Sequence, residues 1–329
     1  MKRIGIIGAG AWGTALSLVC RRAGLDVVLQ AKEPEVVVAI NDEHENPLYL
    51  PRVELDPAIR ATADIAEAAD GADALLLVAP AQFIRSVMGT LAESLKPGIP
   101  IIICAKGVEQ KTSALMSKIA ADVLPQTPVA ILSGPTFAAE VARDLPTGVT
   151  LAIADEALGV QLSDAIGTPR FRIYRSNDLI GAQIGGAVKN VLAIGCGIIE
   201  GRDLGDNARA ALITRGLVEI VRLGEAMGGR AETLMGLSGI GDLVLTCNAM
   251  QSRNFSLGVA LGQGQALADI QAARNSVAEG VFSAASVTEL ARRHDVDMPI
   301  CLSVNGVLNH FADIDATIES LLSRPPGIE

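Results

Sequence analysis

The sequence has few aromatic residues and no excess of positive charge. Phe, Trp and Tyr make up 3% of its 329 residues, which leaves few side chains for stacking on single-stranded nucleic acid. The formal net charge of −10 argues against a nucleic-acid partner or an anionic membrane surface. Every long apolar run is interrupted by polar or charged residues, so we expect no stable membrane insertion.

Metal-binding and disulfide patterns are also missing. The five cysteines are widely spaced and form no CxxC pair, so we expect buried, reduced thiols and no metal site. Lys2 and Arg3 lead directly into a predicted strand, which is not the pattern of a secretory signal. These features favour a cytoplasmic protein, and the length predicts two domains that each have a core.

The two halves of the chain differ in their periodicity. In the first half, β-like and helix-like segments alternate, which predicts an α/β, Rossmann-type doubly wound sheet. Strand signals nearly vanish after Asp178. We therefore predict a dinucleotide-binding domain over residues 1–178 and an all-helical substrate and catalytic domain over residues 179–329. The predicted strands are Arg3–Ile7, Asp26–Gln30, Arg60–Ala63, Ala74–Val78, Pro100–Cys104, Val129–Ser133, Gly148–Ile153 and Phe171–Tyr174.

A glycine turn follows the first predicted strand. Gly8, Gly10 and Gly13 have GxGxxG spacing, and a helix-compatible stretch comes next. This order brings backbone N–H groups and a positive helix end to a pyrophosphate. Gly8 permits the tight turn, Gly10 lets the phosphates approach, and Gly13 lets the helix pack close to the strand. The pattern predicts dinucleotide binding, with a purely structural turn as the alternative.

The end of the second predicted strand bears on which dinucleotide is bound. An acidic side chain at that point typically selects NAD. The first charged residue here is Lys32, whose cation could neutralise a 2′-phosphate, and Glu33 is the competing candidate. We favour acceptance of NADP(H), with NAD(H) left open. The alternative for Lys32 is a solvated loop lysine.

Histidine is scarce and poorly placed for acid–base chemistry. His44, His294 and His310 are the three in the chain, and none lies beside the glycine turn or a predicted strand end. A lysine is then the candidate, because burial can bring its pKa toward working pH. Lys106 ends an apolar strand, and Lys189 lies in an apolar, glycine-rich helix where a charge is costly unless it is used. A solvated loop charge and a snorkelling lysine are the respective alternatives.

Further polar groups stand in apolar or glycine-flanked settings. Asp242 could take a substrate hydroxyl or pair with a lysine ammonium, and an N-cap is its alternative role. Arg253, between Ser252 and Asn254, suits a phosphate or carboxylate. The segment Ser133–Ala138 ends a predicted strand and offers backbone N–H groups before a helix.

These segments belong to a series of motifs that runs in order from residue 3 to the region of residue 310. The series resembles that of bacterial-type NAD(P)-dependent glycerol-3-phosphate dehydrogenases. The resemblance implies reversible reduction of dihydroxyacetone phosphate, a small phosphorylated three-carbon substrate, to sn-glycerol 3-phosphate for phospholipid synthesis. The motifs are Gly8–Ala15, Ala105–Gly107, Ser133–Ala138, Gly186–Asn190, Ala208–Gly216, Gly241–Cys247 and Gln251–Asn254.

The resemblance also implies residue roles. It makes Lys189 the proton acceptor in the oxidative direction and Arg253 a contact of both substrate and cofactor. The other implied substrate contacts are Lys106, Gly134, Thr136, Asp242, Ser252 and Asn254. The other implied cofactor contacts are Gly8, Gly10, Ala11, Trp12, Gly13, Lys32, Lys106, Ala138, Val277 and Glu279.

The sequence departs from the family at three cofactor positions. Ala11 replaces a common serine, Gln30 a frequent tryptophan, and Lys32 the usual arginine or histidine. These changes leave the preference between NADPH and NADH open.

Two alternatives remain at this point. A β-hydroxyacid dehydrogenase of the 6-phosphogluconate or hydroxyisobutyrate type shares the architecture and a lysine, but the Gln251–Asn254 and Ser133–Phe137 segments argue against it. A non-catalytic NAD(P)-sensing module would need no buried lysine, aspartate and arginine set. The apolar second domain favours a homodimer.

Overall fold

In the computed structural model, which describes residues 1–273 and 278–325, the chain forms two compact units. The first consists of Met1–Lys106 and Ala114–Gln183, and the second of Gly107–Ser113 and the chain from Ile184 onward. The predicted boundary at residue 178 lies immediately before a helix that begins at Leu179, and it stays a prediction. No pattern in the sequence predicts that Gly107–Ser113 belongs to the second unit.

The first unit contains a large, mostly parallel sheet. Its strands are β1 (Arg3–Ile7), β2 (Asp26–Gln30), β3 (Glu45–Asn46), β4 (Leu50–Glu54), β5 (Arg60–Thr62), β6 (Ala74–Leu77), β7 (Ile101–Ile103), β8 (Val129–Ser133), β9 (Thr147–Ile153) and β10 (Phe171–Ser176). Eight of them form one sheet in the order β10-β9-β8-β7-β6-β1-β2-β5, while β3 and β4 form a separate hairpin. Within the large sheet, β8 and β9 are antiparallel and the other neighbours are parallel.

Both faces of this sheet are buried. Ile4 and Ile6 of β1 belong to one hydrophobic cluster, whereas Ile7 belongs to a second. Successive side chains of a strand point to opposite faces, so this division means that apolar layers cover the sheet on both sides. The helices of this unit are α1 (Ala11–Arg22), α2 (Pro34–Val38), α3 (Ile65–Ala69), α4 (Ile84–Ala92), α5 (Met116–Val123), α6 (Ala138–Ala142) and α7 (Glu156–Ile166). The predicted doubly wound α/β fold is confirmed.

Within the described part of the second unit, the regular elements are helical, as predicted. They are α8 (Leu179–Gly201), which begins in the first unit, α9 (Gly205–Ala226), α10 (Ala231–Leu234), α11 (Asp242–Cys247), α12 (Arg253–Gly262), α13 (Leu267–Ala272), α14 (Glu279–Arg293), α15 (Pro299–His310) and α16 (Ile314–Leu322). A short π-helix, Leu237–Gly241, leads into α11.

The helix α8 is the apolar core of this second unit. Its start is capped by Asp178, whose carboxylate accepts the N–H of Gly181 at 2.8 Å. By length and composition α8 could cross a membrane, but its most apolar 18-residue window is 100% buried inside the fold. Complete burial is typical of the core helix of a folded domain, so the length and composition of α8 are weak evidence for a membrane span.

Glycines bring α8 and α12 into backbone contact. A Cβ atom on Gly197 would lie 2.1 Å from the carbonyl oxygen of Phe255, and one on Gly201 would lie 2.3 Å from that of Val259. From the other side, a Cβ on Gly258 would lie 2.1 Å from the carbonyl oxygen of Ile194. Only hydrogen fits at these positions, so the glycines fix how closely the two helices approach.

We predict that Gly197→Ala destabilises the protein by about 1–3 kcal/mol, because the new methyl group overlaps rigid backbone. Gly306→Ala, within α15, is the matched control. A Cβ atom at Gly306 would lie 3.6 Å from the side chain of Ala312, which is an ordinary van der Waals contact. That control should be neutral or slightly stabilising. Urea unfolding followed by circular dichroism measures both. Equal midpoints for the two variants would contradict a close contact between the helices.

Candidate active site

The three glycines of the first turn have three different environments. Gly8 has φ +110°, which a side chain would strain, and a Cβ there would lie 3.1 Å from the backbone of Ala79. A Cβ on Gly13 would overlap the carbonyl oxygen of Gly8 at 1.9 Å, so α1 packs directly on the turn. A Cβ on Gly10 would meet no atom within 4 Å, which leaves open space at the N-terminus of α1.

The N-terminus of α1 is suited to a phosphate. Ala11 and Trp12 are its first residues, no acidic residue lies in its first turn, and no side chain caps it. Backbone N–H groups and the helix dipole favour an anion at such an end. The residues present therefore fit the pyrophosphate of a dinucleotide.

Asn46, in the hairpin, holds this turn in place. Its side-chain amide donates to the carbonyl oxygen of Ala9 and to Oγ1 of Thr14, both at 2.8 Å, and the residue is fully buried. Its Oδ1 accepts the N–H of Tyr49 at 3.2 Å. No sequence motif indicated Asn46, because the contact joins segments 37 residues apart.

The side chains after β2 differ in their surroundings. Gln30 is buried and donates to the carbonyl oxygen of Ala63 at 3.3 Å, so it packs within the sheet layer. Lys32 is exposed, whereas Glu33 is partly buried and accepts the hydroxyl of Tyr49 at 3.0 Å.

The first unit also brings together three predicted substrate-binding residues. Lys106 Nζ donates to the carbonyl oxygen of Gly134 at 2.8 Å, and Thr136 Oγ1 contacts the same oxygen at 3.4 Å. Gly134 has φ +147°, and a Cβ there would lie 3.0 Å from Cα of Val149. Lys106 follows β7 and Gly134 follows β8, at the strand ends where α/β sites form. Ala138, the predicted cofactor contact, begins α6 just beyond this group.

A buried charge cluster lies in the second unit. Lys189 of α8 is 7% exposed and Asp242 is fully buried. Lys189 Nζ lies 2.8 Å from Oδ1 of Asp242 and 2.7 Å from Oγ1 of Thr246. The Thr246 hydroxyl in turn donates to the carbonyl oxygen of Asp242 at 2.6 Å. Sequence reasoning missed Thr246, although its position four residues after Asp242 places both on one face of α11.

Close backbone packing sets this cluster. A Cβ on Gly185, one turn before Lys189, would lie 2.3 Å from the carbonyl oxygen of Ser238. Ser238 belongs to the π-helix that leads into Asp242, and such insertions are frequent at functional sites. The glycine therefore lets α8 approach the segment that delivers the carboxylate.

The predicted phosphate-binding run begins α12. Ser252 is its N-cap and accepts the N–H of Phe255 at 3.2 Å, while Arg253 is the first helical residue and is exposed. The amide group of Asn254 donates to Oδ1 of Asn190 at 2.9 Å and accepts the N–H of Gly280 at 3.0 Å. Asn254 therefore links α8, α12 and α14, a structural role that the sequence did not indicate. Glu279 begins α14, and Val277 lies outside the described residues.

The cysteines are free and buried, as predicted. Burial raises the pKa of Cys20 to about 12. Burial and the neighbouring Cys196 raise the pKa of Cys247, one residue after Thr246, well above its ordinary value. The thiols of Cys20 and Cys247 are therefore protonated and unsuited to nucleophilic catalysis. Over residues 1–273 and 278–325, no group of three or more His, Cys, Asp or Glu side chains could hold a metal ion.

A doubly wound sheet with a GxGxxG turn at the N-terminus of a helix, followed in the chain by a helical unit that buries a lysine, is typical of a nicotinamide-dinucleotide-dependent dehydrogenase. The family model for the N-terminus of NAD-dependent glycerol-3-phosphate dehydrogenase matches residues 3–159, and the model for its C-terminus matches residues 178–319. The chain belongs to the NAD-dependent glycerol-3-phosphate dehydrogenase family.

Relatives and solved structures agree with this assignment. The chain is 60% identical to an NAD(P)+ glycerol-3-phosphate dehydrogenase of Rhodospirillum rubrum, over 100% of this chain and 94% of that protein. It is 56% identical to that of Parvibaculum lavamentivorans, over 98% of this chain and 97% of that protein. The crystal structure of the Coxiella burnetii glycerol-3-phosphate dehydrogenase superposes with a TM-score of 0.95 at 40% identity, covering 98% of this chain and 99% of that one.

We predict that Asp242→Ala destabilises the protein by about 3–5 kcal/mol, because it leaves the Lys189 ammonium buried without its carboxylate. The double variant Lys189→Met/Asp242→Ala should lose less stability than Asp242→Ala alone, since it removes both charges. Urea unfolding measures the difference. Asp122→Ala, which breaks the exposed 2.8 Å pair with Lys118, is the control and should cost less than about 1 kcal/mol. A double variant with a lower free energy of unfolding than Asp242→Ala would contradict the importance of the unpaired buried charge.

Proposed function

We propose that this protein catalyses the reversible reduction of dihydroxyacetone phosphate to sn-glycerol 3-phosphate with NAD(P)H, and so supplies phospholipid synthesis. Its membership of the family supports the reaction. The observation that carries the proposal is the buried Lys189 ammonium, held by Asp242 and Thr246. Burial of a charge is costly unless the charge is paired and used, and this one lies in an otherwise apolar helix.

The dinucleotide, when bound, supplies the hydride to the ketone carbon. Lys189 polarises the carbonyl oxygen and donates a proton to it as the alcohol forms, and in the oxidative direction it accepts that proton. Asp242 and Thr246 fix the direction of the Nζ atom through bonds of 2.8 Å and 2.7 Å. The low dielectric around the pair strengthens its effect on developing charge.

The remaining roles are those that the family resemblance implies. The glycine turn, with Gly8, Gly10, Ala11, Trp12 and Gly13, binds the pyrophosphate end of the cofactor. The other proposed cofactor contacts are Lys32, Lys106, Ala138, Arg253, Val277 and Glu279. The other proposed substrate contacts are Lys106, Gly134, Thr136, Asp242, Ser252, Arg253 and Asn254, with Arg253 as the anchor of the phosphate group.

The domain assignment, residues 1–178 for the cofactor and 179–329 for the substrate and chemistry, belongs to the same proposal. We also propose that the protein is cytoplasmic. A homodimer is proposed because the second half of the chain is rich in apolar residues. Size-exclusion chromatography with light scattering tests the oligomeric state.

The reaction is tested by following NADPH absorbance with dihydroxyacetone phosphate, then repeating the assay with NADH. Oxidation that depends on this substrate is expected. A panel of 6-phosphogluconate and 3-hydroxyisobutyrate, assayed with NADP+, should give none. Turnover of those acids in place of dihydroxyacetone phosphate would overturn the proposal.

Replacing Lys189 should remove the chemistry and spare the cofactor. We predict that Lys189→Ala lowers kcat by at least about 10²-fold, since the general acid is lost. NADPH binding, read from the fluorescence of Trp12, the single tryptophan, should persist. Lys118→Ala, an exposed lysine on α5, is the control and should keep full activity. Near-normal turnover in Lys189→Ala would remove the lysine from its role.

Replacing Arg253 should act on the phosphate group. We predict that Arg253→Ala raises KM for dihydroxyacetone phosphate about 10- to 100-fold, because a charge-assisted hydrogen bond is lost. The same variant should change the kinetics with unphosphorylated dihydroxyacetone far less. Arg292→Ala, an exposed arginine on α14, is the control. Equal losses with both substrates would count against a phosphate contact.

A further inference from the structure

The competing candidate for cofactor selection, Glu33, already has a partner. Its Oε1 accepts the hydroxyl of Tyr49 at 3.0 Å, and this bond is partly buried. Burial and the neighbouring Glu33 raise the pKa of Tyr49, so the phenol stays protonated and keeps donating to the carboxylate. Lys32, one residue earlier, remains exposed at the end of β2.

Tyr49 is itself held by the group that supports the glycine turn. Its N–H donates to Asn46 at 3.2 Å, and Asn46 contacts Ala9 and Thr14 at 2.8 Å. A continuous chain of hydrogen bonds therefore runs from Glu33 to the turn. The phenol that binds Glu33 is anchored by a fully buried residue, so the carboxylate is restrained by the fold.

A carboxylate at this point of the fold has two effects on a dinucleotide. It accepts the ribose hydroxyls of NAD(H), and it repels the 2′-phosphate of NADP(H). A carboxylate that already accepts a phenol hydroxyl has less capacity to accept the ribose hydroxyls of NAD(H). Its direction is also fixed, so it cannot turn toward the 2′-phosphate of NADP(H). The neighbouring cation of Lys32 then has the larger influence on the cofactor.

We propose that Tyr49 is a specificity-determining residue, which restrains Glu33 and so shifts the cofactor preference of this protein toward NADP(H). The inference rests on the proposed use of a nicotinamide dinucleotide. It deepens that function by naming the group that selects between its two forms.

The test measures binding directly. Trp12 is the only tryptophan and lies in the first turn of α1, so its fluorescence reports the Kd of NADPH and of NADH without any substrate. Tyr49→Phe should lower the ratio of NADH Kd to NADPH Kd by about 5- to 10-fold, the net effect of one ordinary hydrogen bond. Tyr174→Phe changes the only other tyrosine, which is half-exposed, and should leave the ratio unchanged.

A second pair of variants shows whether Glu33 carries the effect. In a Glu33→Gln background, Tyr49→Phe should leave the ratio nearly unchanged, because no carboxylate is released. The inference is overturned if Tyr49→Phe leaves the Kd ratio unchanged. It is also overturned if Tyr49→Phe changes the ratio as much in the Glu33→Gln background as in the unsubstituted protein. Assays of the unsubstituted protein with dihydroxyacetone phosphate are made on the same preparation. Absence of that activity would instead overturn the proposed function, and the binding ratio would still decide the role of Tyr49.

Discussion

The proposed chemistry of the second unit depends on a buried ion pair. Lys189 and Asp242 are both removed from water, and each would be costly alone. Their contact at 2.8 Å exists because α8 approaches the segment before α11 closely enough, and Gly185 makes that approach possible. The small residues of α8 and its buried Lys189 therefore depend on each other. Without close packing the ammonium would lose its partner, and without the partner the packing would enclose an isolated charge.

The same use of glycine occurs in the first unit, where the requirement is access. Gly13 lets α1 rest on the turn, and Gly10 leaves space in front of the helix. In both units, positions without a side chain determine where backbone can come close, either to a helix or to a ligand. Bulky side chains at the close-packed positions would separate the elements.

Local patterns predicted most of the fold and the first members of the site. Most strands of the large sheet could be predicted because they are short apolar runs, although β5 and β10 include polar and charged residues. Lys189 could be predicted because a lysine in the middle of an apolar, glycine-rich helix is unusual. Asn46 and Tyr49 were not visible, since their partners Ala9 and Glu33 are distant in sequence. Thr246 could have been found from helical spacing once Asp242 was assigned. The hydrogen bonds by which Asn254 links three helices could not be predicted from the sequence, because they depend on how the helices pack.

The exposure of the cations matches the tasks assigned to them. Lys32 and Arg253 are exposed, which is compatible with the reversible phosphate contact proposed for each. Lys189 is enclosed with a carboxylate and a hydroxyl, where its ammonium group donates hydrogen bonds to fixed neighbours and bulk water has little access. A group that must exchange a proton with a substrate oxygen benefits from this enclosure, because its environment needs no rearrangement during the reaction. A histidine is not required for such a device, which explains why a chain with only three can belong to a dehydrogenase family.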